Sequence, residues 1–184
     1  RSQSSDMGFG YPKYASAMLE DAFPDIDFAF VNLGISGNRT EDLVARMQSD
    51  FIEIQPDIVS VMIGINDVWH HYAFTGIYTS NEAFEQNYTT VLEEIKQKTA
   101  AKIMIIQPFL IDVPDKQELK AELAEKHAIV KALADKYADV YLPMHEILHA
   151  DQAEDKTVYA ADGVHPTAKG AELIAEHYLA AFRK

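Results

Sequence analysis

The sequence predicts an α/β protein, a three-layer α/β/α sandwich around a parallel sheet. Two observations carry this. Short apolar, β-branched runs recur along the chain, and one of them, Ile58 to Ile63, is apolar on both alternating faces but for Ser60. Such a run reads as a strand covered on both sides by helices. Between the runs lie segments with apolar residues at helical spacing, and strands alternating with helices imply a parallel sheet.

Taken in order, the chain opens on a polar loop and a helix. Tyr14, Met18 and Leu19 share one helical face, and Pro12 suits a first turn. Phe28 to Leu33 is the first predicted strand. Thr40 is placed to cap a helix carrying Leu43, Val44, Met47 and Phe51. The strand at 58–63 follows, started by Pro56-Asp57 and stopped by Gly64. Thr79 and Glu82 have capping-box spacing ahead of a helix with Phe84, Tyr88, Val91, Leu92 and Ile95 on one face. Lys102 to Gln107 is a third buried strand, ended by Pro108. Leu119, Leu123, Val130, Leu133 and Tyr137 mark a long helix. Val140 to Leu142 is a last short strand, and Ala171, Ile174, Tyr178 and Phe182 give the closing helix. With no repeat and no linker, residues 1–184 read as a single domain.

Composition narrows the function. The chain has 184 residues, enough for one sizeable core, and no apolar run long enough to span a bilayer. There is no cysteine, hence no disulfide framework and no thiolate metal site. With no signal peptide visible, the expectation is a cytoplasmic protein. Lys and Arg number 16 against 29 Asp and Glu, a net charge of -13. That balance disfavours nucleic acid and anionic membranes and suits a neutral small-molecule partner. The sequence does not give the oligomeric state, and a homo-oligomer is possible.

Four segments bear chemistry. Gly64-Ile65-Asn66-Asp67 follows a strand, where open α/β sheets bind ligands, so it delivers an amide and a carboxylate there. A Gly turn with an Asn or Asp helix cap explains it equally plainly. Asp162-Gly163-Val164-His165-Pro166 places a carboxylate three residues before a histidine, close enough to hold its Nδ1 and stabilise an imidazolium. The plain alternative is a turn that caps the last helix. Gly34 follows a predicted strand and can present its N–H to a ligand, or simply make a tight turn. The surrounding glycines fit neither a dinucleotide fingerprint nor a G-x-S-x-G elbow, so Ser36 is a poor nucleophile. His145-Glu146-Ile147-Leu148-His149 is a literal H-E-x-x-H, but its helix would be short and exposed, and Glu172 makes a weak third ligand. Solvated histidines explain it better, and no metal or cofactor is expected. His70 and His71 can line a cleft beside Asn66, and His127 reads as a packed, half-buried residue. Trp69 offers a stacking face for a sugar, or core packing.

Together these segments resemble the SGNH hydrolase superfamily, the GDSL esterases and lipases. Asn32-Leu33-Gly34-Ile35-Ser36-Gly37-Asn38 is similar to its second block, Gly64-Ile65-Asn66-Asp67 to its third, and Asp162 to Pro166 to its last. The branch with G-I-S-G-N followed by G-I-N-D-V-W, which includes intracellular acetylxylan esterases, is the nearest in pattern. The resemblance implies a flavodoxin-like fold. It implies Gly34 N–H and Asn66 as oxyanion donors, and Asp162 and His165 as two members of a Ser-His-Asp triad. The implied substrate is a short-chain acyl ester, foremost an O-acetyl group on a carbohydrate, with Trp69 against the sugar. Alternatives are a lysophospholipase or thioesterase on the same fold, or a non-catalytic carbohydrate- or partner-binding protein.

One block departs. The family's Gly-Asp-Ser, which holds the nucleophile, is not in this sequence. Arg1 to Asp6 resembles the loop that follows it. The strand ahead of that block is central in the family's sheet, between the strands at 28–33 and 58–63. Without it two apolar strands would have unpaired edges. The expectation is that the natural chain continues upstream of Arg1 with that strand and serine.

Overall fold

The computed structural model describes residues 6–73 and 76–183. In chain order the elements are α1 (Tyr11–Ala22), α2 (Thr40–Met47) with a π-helical continuation Gln48–Ile52, β1 (Ile58–Val61), α3 (Ile65–Tyr72), α4 (Asn81–Lys98), β2 (Lys102–Ile106), α5 (Leu119–Tyr137), β3 (Val140–Leu142), α6 (Met144–Ala150) and α7 (Ala168–Phe182). The chain divides into two compact units, residues 36–110 with 114–145, and residues 1–35 with 111–113 and 146–184.

The first of these holds the sheet. Its strand order is β1-β2-β3, all parallel, with Val59 opposite Ile103 and Ile105 opposite Tyr141. β2 is paired on both sides, and Ile103 to Ile106 are all buried, as the unbroken apolar run predicts. α2, α4 and α5 cover it through Leu43, Phe84, Tyr88, Leu92, Ile95, Val130 and Leu133. Gly64 caps α3 at φ 126°, and Phe84 and Pro108 lie within 3.3 Å of where a Cβ would stand. A side chain there would be both strained and crowded.

In the second unit α1 packs on α7. Ala15 and Leu19 of α1 and Ala171, Ile174 and Ala175 of α7 are buried. Aromatic pairs close the helix ends: Tyr11 with Tyr178 at 6.3 Å and Phe23 with Phe182 at 5.3 Å.

Three sequence expectations change. Phe28 to Leu33 is not a strand: it carries no ladder bonds among the described residues, and Val31 is 48% exposed. A strand exists only through a hydrogen-bonded neighbour. This run is held by ring packing instead, Phe28 stacking on Phe30 and meeting Phe182 edge-on. Thr40 does not cap α2. Arg39 does, its N–H donating to Asp42 Oδ2 at 2.8 Å, and Thr40 is the first helical residue. The cap of α4 is Ser80, not Thr79, with Oγ accepting from Ala83 N. Of the segment expected to follow the nucleophile, Arg1 to Ser5 lie outside the described residues.

Candidate active site

The Asp162–His165 turn is built locally. Gly163 sits at φ 85° and donates its N–H to Ala160 O, which turns the chain sharply. The turn lets one carboxylate collect three bonds. Asp162 Oδ1 accepts from Val164 N at 3.0 Å and His165 N at 2.8 Å. Its Oδ2 takes His165 Nδ1 at 2.7 Å. Burial works to raise the Asp162 carboxyl, but the His165 bonds and the Val164 N–H outweigh it, leaving it below its usual range. With Nδ1–H held by the carboxylate, Nε2 becomes the ring's proton acceptor. His165 is 64% and Asp162 46% exposed in the side chain, so the pair faces solvent.

The turn is anchored at both ends. Ile111 N donates to Gly163 O at 2.8 Å. After it, Thr167 caps α7 by accepting from Gly170 N. Gly170 is pressed on the backbone of Tyr159: a Cβ there would lie 2.1 Å from Tyr159 O. Only glycine allows α7 to approach so closely. The same Tyr159 O accepts from Thr167 N at 2.9 Å.

Gly34 lies exposed after the 28–33 run. Its N–H donates to Asn32 Oδ1 at 3.0 Å, while Asn32 Nδ2 donates to Met7 O at 3.1 Å. Asn66 lies in the first turn of α3, half-buried, and Nδ2 donates to Asn38 O at 3.0 Å. An amide NH₂ has two hydrogens, so a second bond remains open to a ligand.

Asp67 departs from the expectation that it is delivered to the chemistry. It is fully buried and turned to Thr40, accepting from Thr40 Oγ1 at 2.6 Å and from Thr40 N at 3.1 and 3.2 Å. Burial pushes its carboxyl up to about 6, against those bonds and the charges of Arg39 and Lys126. It ties the start of α2 to the first turn of α3, beside the Asn38–Asn66 bond. Sequence reading missed this pairing across 27 positions; its one trace is a Thr just after the Gly-Asn turn and an Asp just after Asn66.

Trp69 is half-buried, with the Lys116 ammonium 5.3 Å from its ring centroid. His70 is half-buried, and His71 pairs through Nδ1 with Glu122 Oε2 at 2.9 Å. His127 is half-buried, Nε2 against Pro108 O at 2.7 Å, its ring 4.6 Å from that of His145. His145 Nδ1 accepts from Leu110 N at 3.4 Å. Among the described residues, no three His, Asp or Glu converge as metal ligands.

Comparison with known proteins places the chain. Residues 2–173 match the GDSL-like lipase/acylhydrolase family. An acetylxylan esterase of Geobacillus stearothermophilus is 30% identical over 94% of this chain and 80% of its own length. The crystal structure of Axe2, an acetylxylan esterase from the same organism, superposes with a TM-score of 0.85 at 28% identity, over 98% of this chain and 86% of that one. An alpha/beta hydrolase from the metagenome of Lake Arreo, Spain, gives 0.82 at 26% identity, over 95% and 81%. The α/β fold with its parallel sheet is that of the SGNH hydrolases, and the chain belongs to the GDSL-like lipase/acylhydrolase family.

Proposed function

We propose that this carboxylic ester hydrolase removes short acyl groups, foremost O-acetyl, from a carbohydrate by a Ser-His-Asp mechanism. The observation that carries the mechanism is the Asp162–His165 pair, bonded at 2.7 Å and exposed to solvent. In this reading the nucleophile is the serine of the family's Gly-Asp-Ser block, a motif that these 184 residues do not contain. The serines described within them have other tasks or places. Ser16 and Ser49 bond carbonyls one turn back, Ser80 caps α4, Ser60 lies within β1, and Ser36 sits in the turn before α2.

In this reading the serine Oγ attacks the ester carbonyl as His165 Nε2 takes its proton. Asp162 holds the ring and stabilises the imidazolium. The family resemblance assigns the stabilisation of the resulting oxyanion to Asn66 Nδ2 and Gly34 N–H. The C–O bond to the alcohol breaks, and His165 returns the proton to the leaving oxygen. Water, activated by the same imidazole, hydrolyses the acyl-enzyme. The carbohydrate preference rests on the acetylxylan esterase relatives and on an acidic surface suited to neutral substrates.

Acyl-length profiling tests the reading. The full-length polypeptide should release acetate from acetylated xylo-oligosaccharides, and its kcat/KM on p-nitrophenyl esters should fall steeply from acetate to octanoate. A preference for long acyl chains or lysophospholipid would replace the carbohydrate reading with the lipid one.

A further inference from the structure

Two neighbouring side chains in the first turn of α3 reach back to one stretch of chain, the loop that enters α2. Asn66 Nδ2 donates to Asn38 O at 3.0 Å. One residue along, Asp67 accepts from Thr40 Oγ1 at 2.6 Å and from Thr40 N at 3.1 and 3.2 Å. Asn38 and Thr40 are two positions apart, so the two ties run side by side between the same two segments. All four residues belong to the unit that holds the sheet. Asp67 and Thr40 are fully buried, whereas Asn66 is half-buried. One tie is therefore shut away from water, and the other borders it.

The buried tie is braced from other elements. Asn87 of α4 donates Nδ2 to Thr40 Oγ1 at 3.5 Å. The hydroxyl gives its own hydrogen to Asp67 Oδ1, so the donors run one way, from Asn87 to Thr40 to the carboxylate. Arg39, between the two tied loop residues, is buried too. Its N–H donates to Asp42 Oδ2 at 2.8 Å and its guanidinium to Thr79 Oγ1 at 3.5 Å. The Asn38 side chain adds no such brace through Oδ1, which is buried without a hydrogen-bond partner among the described residues. A buried carboxylate is costly to the fold. What this one does is remove the freedom of Thr40, and with it that of Asn38 two residues away. An amide group is planar, so a bond from one of its hydrogens to a fixed carbonyl also fixes where the other hydrogen points.

We propose that Asp67 is a positioning residue for ester hydrolysis: by holding Thr40 it sets the place of Asn38 O, and through that carbonyl the direction of the Asn66 amide. This rests on the reading of Asn66 as an oxyanion donor given above. Asp67 itself does not touch the substrate. Its effect on the reaction passes through Thr40, Asn38 and Asn66 in turn, and is felt where the oxyanion forms rather than where the substrate first binds.

The test is a double-mutant cycle on the full-length polypeptide, with kcat and KM for p-nitrophenyl acetate at neutral pH and a thermal melt of each protein. The single variants are Asp67→Asn, Thr40→Val, Thr40→Ser and Asn66→Ala, and the double variant joins Asp67→Asn to Asn66→Ala. Asp67→Asn turns an NH₂ toward the Thr40 donors, and Thr40→Val removes the hydroxyl. Each should lower kcat about tenfold to a hundredfold, the cost of a misplaced group, with KM little changed. Thr40→Ser keeps both donors and should turn over like the parent. With Asn66→Ala already present, Asp67→Asn should cost nothing further, because the group it aims is gone. A folded Asp67→Asn protein with parental kcat would overturn the positioning role and leave Asn66 as the oxyanion donor. So would an equal fall in kcat with and without Asn66, which is the mark of a merely structural residue. If Asp67→Asn does not fold, Thr40→Val taken through the same cycle decides by the same outcomes. Parental kcat in Asn66→Ala would overturn the oxyanion reading and the proposal together.

Discussion

Asn66 and Asp67 are adjacent in sequence and do opposite things. One is half-buried and donates to Asn38 O through its amide; the other is withdrawn into the protein. If Asn66 is an oxyanion donor, Asn66→Ala should lower kcat by roughly 10²–10³ with little change in KM. A change confined to KM would make it a substrate-binding group. Asp67 answers to pH. Its pKa, about 6 in the fold, lies above its ordinary 3.8, so the native state holds the proton more tightly. Its contribution to stability is therefore full below pH 3.8 and lost as the pH rises through about 6, a change on the order of 3 kcal/mol. Asp67→Asn cannot titrate. Measured by urea unfolding, its stability relative to the parent should improve by that order between pH 4 and pH 7, and a difference independent of pH would refute the assignment. The Asp162–His165 bond was legible in the sequence because three residues of tight turn determine it. The Asp67–Thr40 contact was not, because nothing local links residues 27 apart. Nor does local preference separate Thr79 from Ser80 as a cap, since both have suitable hydroxyls.

At the scale of elements, β2 and β3 could be read directly from their apolar runs, and α4, α5 and α7 from their helical spacing. The 28–33 run shows the limit of that reading. Its alternation of Phe28, Phe30 and Asn32 with Ala29 and Val31 suits a strand, but strand state depends on a partner that periodicity cannot supply. The close seat of α7 on the 159–167 turn was likewise hidden, because Gly170 reads as an ordinary helix glycine. Gly170→Ala gains about 1 kcal/mol of helix propensity but forces a methyl onto Tyr159 O. The net should be a loss of about 1–3 kcal/mol, seen as a lower Tm. The turn carrying His165 would shift with it, so kcat should also fall. An unchanged or raised Tm would show that α7 does not set the position of that turn.

For the molecule as a whole, sequence and comparison agree on an α/β ester hydrolase of the GDSL-like family. No described helix is long and apolar enough to cross a membrane. The acidic charge should make substrate choice salt-insensitive for neutral esters and unfavourable for anionic ones. The proposed mechanism turns on one imidazole, His165, oriented by one carboxylate, Asp162. The most direct measurement is therefore kcat/KM for p-nitrophenyl acetate in the full-length polypeptide and its His165→Ala variant, beside thermal melts of both. The account predicts a loss of at least about 10³-fold with the Tm unchanged, since His165 is exposed. Near-parental turnover by a folded His165→Ala protein would contradict it.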